Sequence, residues 1–201
     1  MNYKRTVRVL IVDDSIDNRK LYASQVLTGL DQIENKGEKG KNPIAHLVRL
    51  EVSVAKEGDE AYHIITQCNN QDYTFDILLV DLMMGGDTAD GDKLLNRLID
   101  YSPSIPKTID VFIVSQQRIE DEHSSPIIDR LRNAKKLWTD NGGNIDFIHS
   151  ATTEEEQSEF LNRLWSRIYN FLLTTETKKQ PELDAEIESR IIGKSQIINE
   201  L

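Results

Sequence analysis

Five short apolar runs recur along this chain, and a stretch with helical spacing follows each of them. The runs are VRVLIVDD (7–14), LVRLEVSVA (47–55), FDILLVD (75–81), IDVFIVSQ (109–116) and NIDFIHS (144–150). A continuous β-branched run such as 7–14 suits a strand buried on both faces of a parallel sheet, and 47–55 alternates as a strand does. The intervening segments 15–30, 58–68, 91–101, 125–143 and 152–175 read as helices. Strand–helix alternation five times over implies a parallel sheet with helices on both faces and right-handed crossovers. In such a sheet the functional site lies beyond the carboxyl ends of the strands. Asp13, Asp14, Asp81, Ser115 and Ser150 all stand at such ends and are the first candidates.

Local signals refine the elements. Ser15 or Asp17 is the expected N-cap of the first helix, whose apolar residues Ile16, Leu21, Val26 and Leu30 keep helical spacing. Residues 31–46 are polar, rich in Gly and Lys, and read as an extended loop insertion with room for some helix. Asn141-Gly142-Gly143 is a helix stop. Thr152-Thr153-Glu154 carries capping signals for a long last helix with Phe160, Leu161, Leu164, Trp165, Ile168, Phe171 and Leu172 on one face. The expected organisation is a domain over 1–175, a charged linker over 176–190, and an apolar tail, 191–201, that reads as the truncated start of a further domain.

Composition narrows the function classes. The chain has 201 residues and a net charge of −10, a poor match to phosphate backbones, so direct nucleic-acid binding by this segment is not expected. Cys68 is the sole cysteine, which rules out an internal disulfide. No run approaches the ~18 apolar residues of a membrane span, and the N-terminus lacks a signal-peptide pattern. A reducing cytoplasm is the expected location.

The strand-end acids carry the chemistry. Carboxylates of like charge ~4 Å apart repel by ~4 kcal/mol at an effective dielectric near 20. Either a carboxyl takes a proton or a divalent cation binds. All-oxygen ligands favour Mg²⁺. A carboxylate held beside that ion is a nucleophile able to take a phosphoryl group.

These motifs resemble those of the receiver domain of bacterial two-component response regulators. VLIVDDS resembles the family's first strand with its acid pair, ILLVDLMM followed by Asp90-Gly91 its phosphoacceptor motif, VFIVSQ its fourth strand and DFIHS its fifth. The resemblance spans about residues 6–173 and implies a flavodoxin-like (βα)5 three-layer sandwich of strand order 2-1-3-4-5 with a C-terminal helical extension. It implies that Asp81 accepts a phosphoryl group from a histidine kinase. It also implies Mg²⁺ held by Asp14, Asp81 and the backbone carbonyl of Met83, with Asp13 acting through water. Ser115 would bind the phosphoryl group, and Phe147 matches the aromatic switch position. RIIGKSQIINEL (190–201) is similar to the opening of the ATPase domain in sigma-54-dependent activators, which points to transcription control by an output domain. GKS there is no phosphate loop, because Glu188 stands where the first glycine is needed. The long helix or the linker is a candidate homodimer contact.

The chain departs from the family at several positions. Ser150-Ala151, beside His149, stand where the family has Lys-Pro. Lys135 and Lys136 are candidates to replace that lysine. Gly85 replaces a common proline in a lengthened acceptor loop, and Gln116 a small residue. A second reading is therefore a receiver-like scaffold that works without phosphorylation. A third is a Mg²⁺ phosphohydrolase, though the adjacent acids of DDS lack the D-x-D pattern such enzymes use. His46, His63 and His123 lack ligand spacing. Met83, Met84, Trp138 and Trp165 read as packing residues. Glu154–Glu156 suit a helix N-terminus.

Overall fold

The structure, a computed structural model, describes residues 5–36, 48–69, 74–84, 90–115 and 126–149. All lie within the compact unit Met1–Arg163. The expected last helix, the linker, the tail, Ser150, Gly85, Gln116, Trp165, His46 and His123 lie outside the described residues.

The elements alternate as the apolar runs predict: β1 (Arg5–Val12), α1 (Ile16–Lys36), β2 (Val48–Ala55), α2 (Gly58–Asn69), β3 (Ile77–Asp81), α3 (Asp90–Tyr101), β4 (Asp110–Ser115), α4 (Pro126–Asp140) and β5 (Ile145–His149). The strands form one parallel sheet in the order β2-β1-β3-β4-β5. From β1 the chain moves outward to β2, then crosses back to β3 and continues to β5. Right-handed crossovers in opposite directions put α1 on one face and α2, α3 and α4 on the other. This is the flavodoxin-like arrangement.

The core follows from strand alternation. Leu10, Val12, Leu78, Val80, Val111 and Ile113 point to the face of α2–α4, where they meet Ala61, Ile65, Leu94, Leu98, Leu131 and Trp138. Val7, Val9, Ile11, Ile77, Leu79 and Val114 are equally buried on the opposite face. Burial on both faces explains why these runs read as apolar without a polar alternate. Trp138 is fully buried, as its packing reading expects.

Three local features differ from the sequence reading. The helix expected to end at residue 30 continues to Lys36, so the helix for which 31–46 had room is the continuation of α1 over 31–36. Asp31, Gln32, Glu34 and Lys36 do not break a helix, and Ile33 continues the spacing of Val26 and Leu30. Second, Ile16 is 56% exposed, and over residues 16–27 of α1 the buried positions are Tyr22 and Val26. Third, a 3₁₀ turn over Ile105–Lys107, begun by Ser104 with Pro106 in its first turn, precedes β4; no periodic signal announced it.

The predicted stop of α4 is realised in detail. Gly142 adopts φ +83°, and its N–H bonds the Thr139 carbonyl while that of Gly143 bonds the Trp138 carbonyl. That pair of bonds is a Schellman cap, which needs the left-handed conformation glycine tolerates. Helices α3 and α4 are tied by a two-pronged ion pair. Arg130 Nε and Nη2 donate to Asp92 Oδ2 and Oδ1 at 2.8 and 2.7 Å, and the Asp92 side chain is only 3% exposed. Between α2 and α3, Arg97 pairs with Asp59 and lies 4.2 Å from the centre of the Tyr62 ring.

Candidate functional site

Strand register brings the acids together. Val12, the last residue of β1, pairs with Val80, so the residues after each, Asp13 and Asp81, emerge side by side at the carboxyl edge. The Asp13 N–H bonds the Ala55 carbonyl of β2 at 3.2 Å, carrying the ladder one residue past β1. Asp13 is buried, Asp81 half-buried and Asp14 exposed. Each offers a carboxylate oxygen within 4.8 Å of the others. This is the one such cluster among the described residues.

The loop after β1 is held from within. Asp13 Oδ1 accepts the Ser15 N–H at 2.8 Å. Ser15 Oγ accepts the Asn18 N–H at 3.3 Å, which makes Ser15 rather than Asp17 the N-cap of α1. Asn18 Nδ2 donates to both oxygens of Asp13, at 3.4 and 3.2 Å. Arg19 Nη1 spans the carbonyls of Asp13 and Asp14, at 2.5 and 3.0 Å.

Asp81 closes the site from β3. Its Oδ1 accepts the Met83 N–H at 3.2 Å, and the Leu82 N–H bonds the Val114 carbonyl at 3.0 Å. Burial lifts its pKa from 3.8 to about 6; the Met83 amide opposes that rise, and the charges of Asp13 and Asp14 add to it. Asp13 is raised by burial first, against the pull of the Ser15 and Asn18 donors, with the charge of Asp14 adding to the rise. Tyr22 on α1 is pushed far up by burial and then by the charges of Asp13 and Asp81, so it stays a neutral phenol. Carboxylates that resist ionisation side by side favour a bound cation, and an all-oxygen set of this size fits a divalent one.

The stretch after Asp81 is also tight at the backbone. A Cβ on Gly91 would stand 2.7 Å from the Asp81 carbonyl oxygen and 3.1 Å from Leu82 Cα. The Gly91 N–H bonds the Leu82 carbonyl at 3.3 Å. The first turn of α3 therefore rests directly on the end of β3.

Solved structures share this fold. A phosphorylated cyanobacterial phytochrome response regulator, RcpA, is 16% identical, with a TM-score of 0.53 over 85% of this chain and 96% of its own. A two-component response regulator from Cytophaga hutchinsonii is 15% identical, with a TM-score of 0.50 over 82% and 98%. The receiver domain of the histidine kinase CKI1 from Arabidopsis thaliana, complexed with Mg²⁺, is 20% identical, with a TM-score of 0.51 over 84% and 94%. The chain has the receiver-domain fold. No family model and no curated protein matches the sequence.

Within the receiver fold the remaining candidates spread along the same edge. Ser115 ends β4, buried, one residue past Val114, the partner of Asp81. Phe147 lies on β5, half-buried against the core of α2–α4. Met83 is half-buried beside that core, and Met84 is fully buried in it. The two lysines weighed as replacements for the family's strand-end lysine part ways. Lys136 pairs with Asp140 one turn away, at 2.5 Å on the exposed surface of α4. Lys135 extends over the Phe147 ring, 5.2 Å from its centre. A contact of that kind at an exposed site contributes about 0.5–1 kcal/mol.

Asn18, Arg19 and Tyr22 are the site neighbours that periodicity passed over. Weighting only Ile, Leu and Val found Val26 but took the exposed Ile16 for a core position and missed Tyr22. Positions 18, 22 and 26 recur every four residues, and this polar-to-apolar stripe was the available signal.

Proposed function

We propose that this chain is the receiver of a cytoplasmic two-component system and takes a phosphoryl group on Asp81 from a histidine kinase. The observation that carries the reading is the meeting of Asp13, Asp14 and Asp81 within 4.8 Å at the carboxyl edge of a receiver-type sheet. A bound Mg²⁺ would neutralise charge on the transferring oxygens. Its ligands in this reading are Asp14, Asp81 and the Met83 carbonyl, with Asp13 acting through water. An oxygen of Asp81 attacks phosphorus, the phosphorus–nitrogen bond to the kinase histidine breaks, and an acyl phosphate forms. Ser115 hydrogen-bonds the transferred group, and Phe147 carries the change to the surface of α4 and β5. The output is transcription control through a further domain, with dimerisation through the C-terminal segment. The chain is then a signalling domain rather than an enzyme with multiple turnover.

The test is intact-mass measurement after incubation with Mg²⁺ and acetyl phosphate, with beryllofluoride binding as a second probe. One phosphoryl group is expected on the wild type and at least about 100-fold less on Asp81→Asn, since the acceptor oxygen is gone. Equal labelling of both, or none of either, would sink the reading.

Ser150 in place of the family's lysine favours a second reading, a scaffold that works without phosphate. It calls for a self-association constant, by light scattering, that is the same in the wild type and Asp81→Asn, with or without acetyl phosphate.

A further inference from the structure

The acid pair at the end of β1 does not hold its own shape. A carboxylate accepts hydrogen bonds and donates none, so an acid cluster needs donors from elsewhere to fix its oxygens. Here Asp13 takes one backbone donor, the Ser15 N–H, and one side-chain donor, Asn18, while the next residue of α1, Arg19, holds the peptide carbonyls behind the acids. Asn18 donates its amide to both carboxylate oxygens of Asp13, and its backbone is fixed by the Ser15 cap. Arg19 donates to the backbone rather than to a side chain, bridging the carbonyls of Asp13 and Asp14. Asn18 thus joins the Ser15 N–H in setting the rotamer of Asp13, and Arg19 sets the path of the loop that presents Asp14. The Arg19 guanidinium donates to the peptide oxygens of both acids, and its charge acts on the Asp13 carboxylate from there.

We infer that Asn18 and Arg19 are positioning residues for the cation site, and that Asn18 is a principal determinant of its affinity. The inference rests on the metal-site reading above and adds to it the groups that set its strength. Partners that orient metal ligands typically account for roughly 10- to 100-fold in affinity. Neither residue touches the cation in this account; both act through Asp13 and Asp14.

The experiment is titration of the full chain with Mn²⁺, read by the electron-spin resonance of the free ion, with Mg²⁺ as competitor. Asn18→Leu keeps the size and removes the donor; its Kd is expected to weaken by roughly 10- to 100-fold. Arg19→Lys keeps the charge and gives up the two-carbonyl bridge, so the several-fold loss expected there comes from geometry alone. Should Asn18→Leu fail to fold, Arg19→Lys decides. Melting temperatures in chelator separate support of the fold from support of the site: a lower melting temperature with an unchanged Kd overturns the inference. So does wild-type affinity in both variants. Failure of the wild type itself to bind either ion overturns the metal-site reading beneath it, a result distinguishable from the other two.

Discussion

Asp81→Asn is expected to make the metal-free chain more stable near neutral pH, by about 2–3 kcal/mol. The acid stands half-buried beside two other carboxylates, and burial with their charge lifts its pKa from 3.8 to about 6. A folded-state pKa above the unfolded value means that the folded chain holds the proton more tightly. Stability therefore falls as pH rises through the interval from about 3.8 to 6, and the ionised acid destabilises fully above it. A tenfold difference in proton affinity corresponds to about 1.4 kcal/mol, which sets the size of the effect, and partial contact with water trims it. Asparagine keeps an oxygen to accept the Met83 N–H and removes the charge. Urea unfolding in chelator should give the variant the higher midpoint near pH 7, with the gap closing toward pH 4. Magnesium should reverse the order. An ion bound only by the folded state adds about 3 kcal/mol at a free concentration roughly 100-fold above its Kd, and the variant has lost a ligand. A variant no more stable than the wild type in chelator would refute the account of a strained acid cluster.

Gly91→Ala is expected to cost about 1–3 kcal/mol, although alanine favours a helix over glycine by about 1 kcal/mol. The new methyl group would meet the Asp81 carbonyl oxygen at 2.7 Å. That oxygen is backbone and cannot rotate away, so α3 must lift from the end of β3. Lifting it strains the Gly91 N–H bond to the Leu82 carbonyl and disturbs the neighbouring Asp92, which holds Arg130 of α4. A lower unfolding midpoint and weaker Mn²⁺ binding should appear together. A gain in stability of the size helix propensity alone predicts would show that the contact does not constrain the helix.

The sheet was legible because its central strands β1, β3 and β4 are largely buried on both faces and advertise themselves as unbroken apolar runs, while the edge strand β2, with Val54 46% exposed, shows itself by alternation. The strand-end acids were legible for the complementary reason: a charge directly after such a run has little structural excuse. Two kinds of feature stayed hidden. The far end of α1 rests on polar helix formers with Ile33 alone to carry the spacing, and the 3₁₀ turn at Ile105 depends on a proline at a turn start, which leaves no periodic trace. The support of the acid loop escaped because Asn18 and Arg19 are polar residues in a polar helix turn. Only the register of α1 reveals which of its many donors face inward. Lys135 and Lys136 were equivalent on paper, and it took the rotation of α4 to send one to Phe147 and the other to Asp140.

The order of the strands carries a consequence for how the molecule assembles. Asp13 and Asp81 are separated by 68 positions of chain (81 less 13), yet they become neighbours because β1 pairs directly with β3. A nascent chain that has made only β1, α1 and β2 has one strand–helix–strand unit and two of the three acids, but no chelate. In the proposed reading ion capture would report completion of the central pairing, and half-molecules ending before Ile77 should be blind to manganese however well ordered their first helix is.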